Sequence, residues 1–280
     1  MADDTELVLY EVRDAVAVIT LNRPEKRNAL SRAVWRQLDA AFQKAEEDAN
    51  VKVIVLAGAG KAFCAGADIA GGEDPTEPLP WLEFHQKHHR RQFAMWSSNK
   101  IIIAAIHGFA VGRGLEIALW CDIVVAAEDA RIGQPEVREG WVLWSVVPWL
   151  TGPQKAKLFM LSGDLIDARE AEQMGLVTKV VAAGAAREEA IKLARRLSHV
   201  PPVAARAVKH MVNAVYETMG IRSQQGAGAA LSALAATMSA EARGTAELER
   251  IRAEKGFKES VRFREAPFET SNPAASLPDK

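Results

Sequence analysis

Residues 101–106 read Ile-Ile-Ile-Ala-Ala-Ile, with no polar side chain to face water. A run without alternation predicts a strand buried on both faces, and therefore a sheet covered on each side. Around it the chain repeats one rhythm. Val51–Leu56 is a strand that leads, through a loop, into the small-residue turn Ala65–Ile69. Ile101–Ile106 leads into Gly112-Arg113-Gly114, then a short helix predicted from Gly114 to Trp120 and a strand over Ile123–Ala126. This strand–strand–helix rhythm fits a spiral of stacked units, each covering its neighbour. Upstream, Leu7–Val12 and Ala15–Leu21 read as two strands with a turn at Arg13-Asp14. Trp35, Leu38, Phe42 and Ala45 at helical spacing predict an amphipathic helix over about residues 32–48, with Ser31 as its N-cap.

From about residue 184 the texture changes. Glu188–Leu197, Pro202–Tyr216, Gln225–Met238 and Gly244–Lys255 all read as helices, and Pro201-Pro202 suits a first helical turn. The expected organisation is a core over residues 1–183, a helical region over 184–269 and a polar, disordered tail over 270–280. Gly71–Pro80, rich in Gly, Pro and acid, reads as a mobile loop. The 280 residues carry a formal net charge of -1, so nothing drives the chain toward nucleic acid or an anionic membrane. Two cysteines give no disulfide framework and point to a reducing compartment. The acidic start Met1-Ala2-Asp3-Asp4-Thr5-Glu6 is not a signal peptide, and no apolar run approaches the ~20 residues of a membrane span. A cytoplasmic location is expected.

The two small-residue turns follow apolar strands and leave backbone N–H groups able to point at an anion. The second turn also brings two carboxylates, Glu116 and Glu136, twenty positions apart. Two donors and two acids are enough to make an enolate and protonate it. On pattern alone, Glu116 is equally a helix-face acid, and Glu136 a turn acid after Pro135.

Several ordered motifs carry a resemblance. They are Asn22-Arg23-Pro24-Glu25-Lys26-Arg27-Asn28-Ala29-Leu30, then Lys61–Ile69, then Gly112-Arg113-Gly114-Leu115-Glu116 with Cys121-Asp122-Ile123, and Gly133-Gln134-Pro135-Glu136. Leu161-Ser162-Gly163-Asp164 and Gly175-Leu176-Val177 complete the set. Together they resemble the crotonase superfamily, the enoyl-CoA hydratase/isomerase group. The resemblance implies an α/β fold: a crotonase-like spiral of stacked ββα units with a C-terminal helical oligomerisation region. It implies an acyl-CoA substrate, no cofactor beyond the coenzyme A that the substrate carries, no metal, and a homotrimer or dimer of trimers. The backbone N–H groups of Ala67 and Arg113 become oxyanion donors, and Glu116 and Glu136 the paired acids of hydration. Lys26 and Arg27 become candidates for the CoA phosphates. Ala65, Ala67, Asp68 and Ile69 would hold the thioester end.

Two positions depart from the family's pattern. Arg113 stands where the family usually has a small residue, and its side chain is expected to reach a CoA phosphate, a neighbouring subunit or solvent. After Glu136 the hydratases run into a glycine-rich, water-holding turn, whereas this chain is shorter and bulky from Val137 to Trp149. Trp141, Trp144 and Trp149 there either line an apolar acyl pocket or fill the core. Hydration of a 2-enoyl-CoA is the leading reaction. Isomerisation, thioester hydrolysis, decarboxylation, C–C cleavage and non-catalytic binding stay open.

Other features carry less. Gly58-Ala59-Gly60-Lys61 lacks phosphate-loop spacing. His85, His88 and His89 would share one helix face, expected to be solvated or at a pocket rim rather than metal-binding. Cys64 reads as a small buried residue rather than a nucleophile. Asp68 reads as a cap for the turn that follows it.

Overall fold

The structure is a computed structural model that describes residues 6–68, 78–240 and 243–269. Its first hairpin, β1 (Val8–Arg13) and β2 (Val16–Leu21), turns at Asp14 and Ala15, one residue later than expected. Both turn residues have positive φ, 50° and 62°, the backbone that matches a two-residue turn to strand twist. The helix α1 (Arg32–Glu47) starts at Ser31, whose hydroxyl accepts the N–H of Val34 at 3.3 Å. There follow β3 (Val53–Gly58), α2 (Pro78–Trp96), β4 (Ile101–Ile106), β5 (Phe109–Val111) and α3 (Arg113–Leu119). Next come β6 (Ile123–Ala127), β7 (Arg131–Gly133) and a 3₁₀ turn at Pro135–Glu139. The chain continues through α4 (Val147–Thr151), α5 (Pro153–Ser162), β8 (Ile166–Asp167), α6 (Ala168–Met174) and β9 (Lys179–Val181). Five helices complete it: α7 (Ala186–Leu197), α8 (Pro202–Thr218), α9 (Gln224–Ala240), α10 (Arg243–Lys255) and α11 (Phe257–Glu269). Pro78, Leu79 and Pro80 belong to α2 rather than to a loop. The rest of that expected loop, and the tail over 270–280, lie outside the described residues.

The strands form two sheets. The larger has the order β1-β2-β3-β4-β6-β9, parallel except for the first hairpin, and the smaller the order β5-β7-β8. Each turn of the chain lays one strand in the large sheet and then crosses to the small one. Thus β4 is followed by β5, and β6 by β7. The segment after β3 makes the same crossing: Cys64 bridges Ala110 of β5, which pairs in turn with Ile132 of β7. Three successive turns therefore stack in register, which is the spiral that the rhythm of the sequence predicts. Both faces of the large sheet are covered. Val16, Val18, Val53, Val55 and Ile103 meet Ala190 and Ala194 of α7 on one side. Ile19, Ile54, Leu56, Ile102 and Ile106 enter the main core with α1 and α3 on the other. Burial of such side chains contributes roughly 25 cal/mol per Å² of apolar surface.

The helices α10 and α11 pack on each other, and α11 reaches the 3₁₀ turn. α9 runs against α2, with Trp81, Ala233 and Ala236 in one apolar cluster. Among the described residues, no helix is long and apolar enough to cross a membrane.

Candidate active site

The ends of β3 and β4 bring the two small-residue turns together. Leu30 forms a parallel bridge with Ala67, using the C=O of Gly66 and the N–H of Asp68. Those bonds fix the strand's orientation, so the N–H of Ala67 itself faces the opposite side. Arg113 is the first residue of α3, and the N–H of a first helical residue points out of the helix end. A Cβ on Gly66 would stand 3.7 Å from that nitrogen, so the two turns are neighbours. They can approach because Gly114 lies flush against Cys64, where any Cβ would meet the Cys64 carbonyl oxygen at 2.6 Å.

Glu116 sits one turn into α3 and is fully buried. A carboxylate only accepts, so Gln92 and Gln134 each turn an amide N–H to it. Gln92 Nε2 donates to Oε2 at 3.2 Å, and Gln134 Nε2 donates to Oε1. Burial raises its pKa to about 7, against the opposing pull of Ser145, Arg113 and Gln134. Glu136 comes from the 3₁₀ turn and lies against the start of the same helix. A Cβ on Gly112 would stand 1.7 Å from its Oε1, and Gly112 has φ 54°, so only glycine fits there. The other oxygen of Glu136, Oε2, is buried and takes no hydrogen bond among the described residues. Burial also raises this acid to about 7; its own backbone N–H and Arg113 lower it, and Glu116 raises it. The charge of Glu116 is felt at Glu136, so the two acids titrate as a coupled pair.

Glu136, Ala65, Ala67 and Arg113 all line one cavity of about 180 Å³. Arg27 lines it too, exposed, with its guanidinium 5.1 Å from the centre of the Phe109 ring. Lys26 lies beside it on the surface and is not among the lining residues. Asp68 pairs with Arg23 at 2.5 Å, and the turn it was expected to cap lies outside the described residues, as does Ile69. Cys64 is buried, which pushes its thiol up to about 12 and leaves it no nucleophile.

Arg113 corrects the sequence reading. Its side chain is 5% exposed and turns into the cavity rather than toward solvent. Nη2 lies 2.9 Å from Nδ1 of His85, and the guanidinium lies 5.6 Å from the centre of the Phe84 ring. The tryptophans divide: Trp141 lines the cavity against Trp81, while Trp144 packs in the core on Phe93, Trp120 and His89. Trp149 joins that core and donates Nε1–H to the C=O of Met219. The turn bearing Glu136 is fastened from behind. Arg138 binds Asp164 and Glu265, and Arg264 binds both Glu139 and Glu265. Sequence reasoning missed these ion pairs; Arg138–Glu265 and Arg264–Glu139, which tie the turn to the last helix, join residues more than a hundred positions apart. Gln134 stands inside the Gly133–Glu136 motif, but its bond to Glu116 appears only in the structure.

The histidine face is not solvated. His85, His88 and His89 are all buried, stacked among Trp81, Trp35, Phe84 and Trp144. Among the described residues no cluster of metal-ligating side chains occurs. Burial, aided by Arg113, depresses His85 to about 3 and His89 to about 4, and holds His88 well below its usual value. An unfolded histidine titrates near 6.5, so below that pH the unfolded chain binds more protons and the fold loses stability. The paired glutamates act in the opposite sense, since their folded pKa lies above the unfolded ~4.3. They weaken the fold as pH rises through about 7. Neither ring nitrogen of His89 has a hydrogen-bond partner among the described residues. His89→Phe should therefore keep the stacking, remove two unsatisfied atoms and move the acid-unfolding midpoint to lower pH. Circular dichroism across pH 3–7 checks this; an unmoved midpoint would exclude His89 from acid unfolding.

Similarity to known proteins agrees with the geometry. The family model described as enoyl-CoA hydratase/isomerase matches residues 11–258. The chain belongs to the enoyl-CoA hydratase/isomerase family. It is 38% identical over 221 residues to a protein of Rhizobium meliloti (strain 1021) described as a probable enoyl-CoA hydratase, covering 74% of this chain and 81% of that one. The crystal structure of an enoyl-CoA hydratase/isomerase from Xanthobacter autotrophicus Py2 superposes with a TM-score of 0.88 at 30% identity, covering 94% of this chain and 98% of the other. An enoyl-CoA hydratase structure from Mycobacterium smegmatis gives 0.86 at 28% identity, with 98% of each chain covered.

Proposed function

We propose that the chain adds water across the double bond of a 2-enoyl-CoA to give a 3-hydroxyacyl-CoA. The observation that carries this is Glu136, buried and raised to about 7, lining one cavity with the two backbone donors, while Glu116, also raised to about 7, is buried outside that lining on the helix that starts at Arg113. The thioester oxygen accepts from the N–H groups of Ala67 and Arg113. Each such donor is worth roughly 3 kcal/mol at the transition state. Glu116, whose two oxygens accept amide N–H groups, is the better held as a carboxylate and takes a proton from the attacking water. The hydroxyl bonds to Cβ, and the electron pair of the double bond moves onto the thioester as an enolate. Glu136, whose buried Oε2 has no donor to stabilise a charge, is the protonated partner and delivers its proton to Cα. Arg27 is placed to meet the CoA phosphates from the cavity's edge, and Ala65 to contact the thioester. Lys26 and Asp68 are at most peripheral to it. No cofactor beyond the substrate's own coenzyme A enters these steps.

Incubation with crotonyl-CoA tests the reading. The enoyl absorbance should fall, with 3-hydroxybutyryl-CoA as product. Binding without hydration, together with conversion of a 3-enoyl-CoA to its 2-enoyl isomer, would replace the hydratase reading by an isomerase.

A cytoplasmic homotrimer, or a dimer of trimers, is part of the same proposal. α8 turns Lys209 and Asn213 inward, where they bind Asp122 and the C=O of Trp96, and leaves Val208, Met211, Val212 and Val215 exposed. Leu231, Leu234 and Met238 of α9 are exposed as well. An apolar surface of this kind marks an association face. Sedimentation equilibrium should give three or six times the 30.5 kDa chain mass; a monomer at micromolar concentration would count against it.

A further inference from the structure

The wall of the cavity is aromatic, yet two hydrogen-bonding groups in it have no partner among the described residues. Trp81, Phe84 and Trp141 stand edge to face, with ring centres 5.4–5.5 Å apart across Trp81. Between α2 and α9 the same wall holds His85 and Ser232, which are 4% and 1% exposed. Arginine can only donate, so Nδ1 of His85 must accept from Arg113 at 2.9 Å. That places the imidazole's own proton on Nε2. Nε2 is buried and has no acceptor among the described residues, and neither has the hydroxyl of Ser232. The ring is neutral, because burial and Arg113 both oppose a second proton. Its plane lies over Trp81 at 22°, which fixes the direction of the N–H.

The ionic groups behind the turn that bears Glu136 differ in this respect. Arg138, Glu139, Arg264 and Glu265 are tied to one another or to Asp164. A buried donor left without a partner is unfavourable, so a site retaining two of them suits an acceptor that arrives with the ligand.

We infer that His85 and Ser232 form a polar subsite that selects acyl groups bearing a hydrogen-bond-accepting oxygen in the tail. The inference rests on the acyl-CoA reading above and adds the class of acyl group. An unsubstituted alkyl tail would strand both donors in the aromatic wall. A tail with a keto, hydroxyl or carboxylate oxygen would satisfy them. Arg113, through Nδ1, is the positioning residue that sets which ring nitrogen offers its proton.

Calorimetric titration of the full chain with saturated, unreactive thioesters tests this without relying on turnover. Hexanoyl-CoA is compared with 5-oxohexanoyl-CoA and with adipoyl-CoA, its terminal carboxylate analogue. At least one oxygenated ligand should bind about tenfold more tightly than hexanoyl-CoA, the net worth of one or two hydrogen bonds. A gain shared by both analogues marks a general oxygen acceptor, and a gain confined to adipoyl-CoA marks an anion. His85→Phe should remove most of the preference, His85→Gln, which keeps a donor, should retain part of it, and Ser232→Ala should lose a part. Ser232→Ala deletes one atom and keeps the test alive should His85→Phe fail to fold. Equal affinity for all three thioesters would overturn the subsite, as would a preference that survives in both His85→Phe and Ser232→Ala. Failure to bind any acyl-CoA would instead sink the thioester reading on which it stands.

Discussion

Replacing Glu136 by glutamine should lower kcat by about 10²–10⁴, the usual cost of a lost general acid or base, with little change in CoA affinity. The substitution is nearly isosteric, and the carboxyl rests against Gly112, so the turn should keep its shape. What disappears is the proton that Glu136 brings to Cα. The pH profile should change with it. In the wild type both acids titrate at about 7, so the rate should fall on the alkaline side as Glu136 loses its proton. In Glu136→Gln that alkaline limb should vanish, and the acid limb should report Glu116 alone. Glu116→Ala should be as damaging, and the double variant little worse than either, because residues acting on one water form a unit. Initial rates with crotonyl-CoA decide this. A Glu136→Gln variant with more than half of wild-type turnover would remove Glu136 from the mechanism. Intact hydration in Glu116→Ala would end the paired-acid account.

The stacking of the fold was legible because it is written in local runs. Ile101–Ile106 is apolar throughout and forms β4 at those very bounds, flanked by parallel neighbours on both sides. The three-residue strands β5, β7 and the two-residue β8 were not legible. They are too short for alternation to show, and they are strands only because the spiral lays them side by side. The candidate site divides in the same way. The turns and acids lie on consecutive units, so spacing exposes them. The direction of the Arg113 side chain depends on His85, twenty-eight positions earlier on a helix whose placement is tertiary. The histidine face read as solvated or at a pocket rim; His85 does line the cavity, but the burial of all three was not legible for a related reason. Its spacing on α2 is that of an amphipathic helix, and only the aromatic side chains and α9 packed around that helix make it interior.

The assignment of the second oxyanion donor yields the sharpest contrast. Arg113→Ala removes the guanidinium and keeps the N–H. Because the side chain lies inside the cavity beside both acids, this variant should alter the pH profile, pushing the glutamates further up as a nearby positive charge is lost. Arg113→Pro removes the same side chain and the N–H as well, since proline has none. Proline suits the first position of a helix, and α3 begins at Arg113, so the helix should still form. Gly112, which precedes it, already lies outside the α-helical region that proline would forbid, at φ 54° and ψ -123°. Comparing the two variants at the pH optimum of each cancels the side-chain effect and isolates the donor. Arg113→Pro should be slower than Arg113→Ala by about 10²–10³ in kcat, the cost of one lost oxyanion donor. Far-ultraviolet circular dichroism shows whether each variant is folded. Equal turnover in the two folded variants would move the oxyanion donor elsewhere. A full collapse already in Arg113→Ala would make the guanidinium itself a catalytic group, because its backbone N–H is untouched.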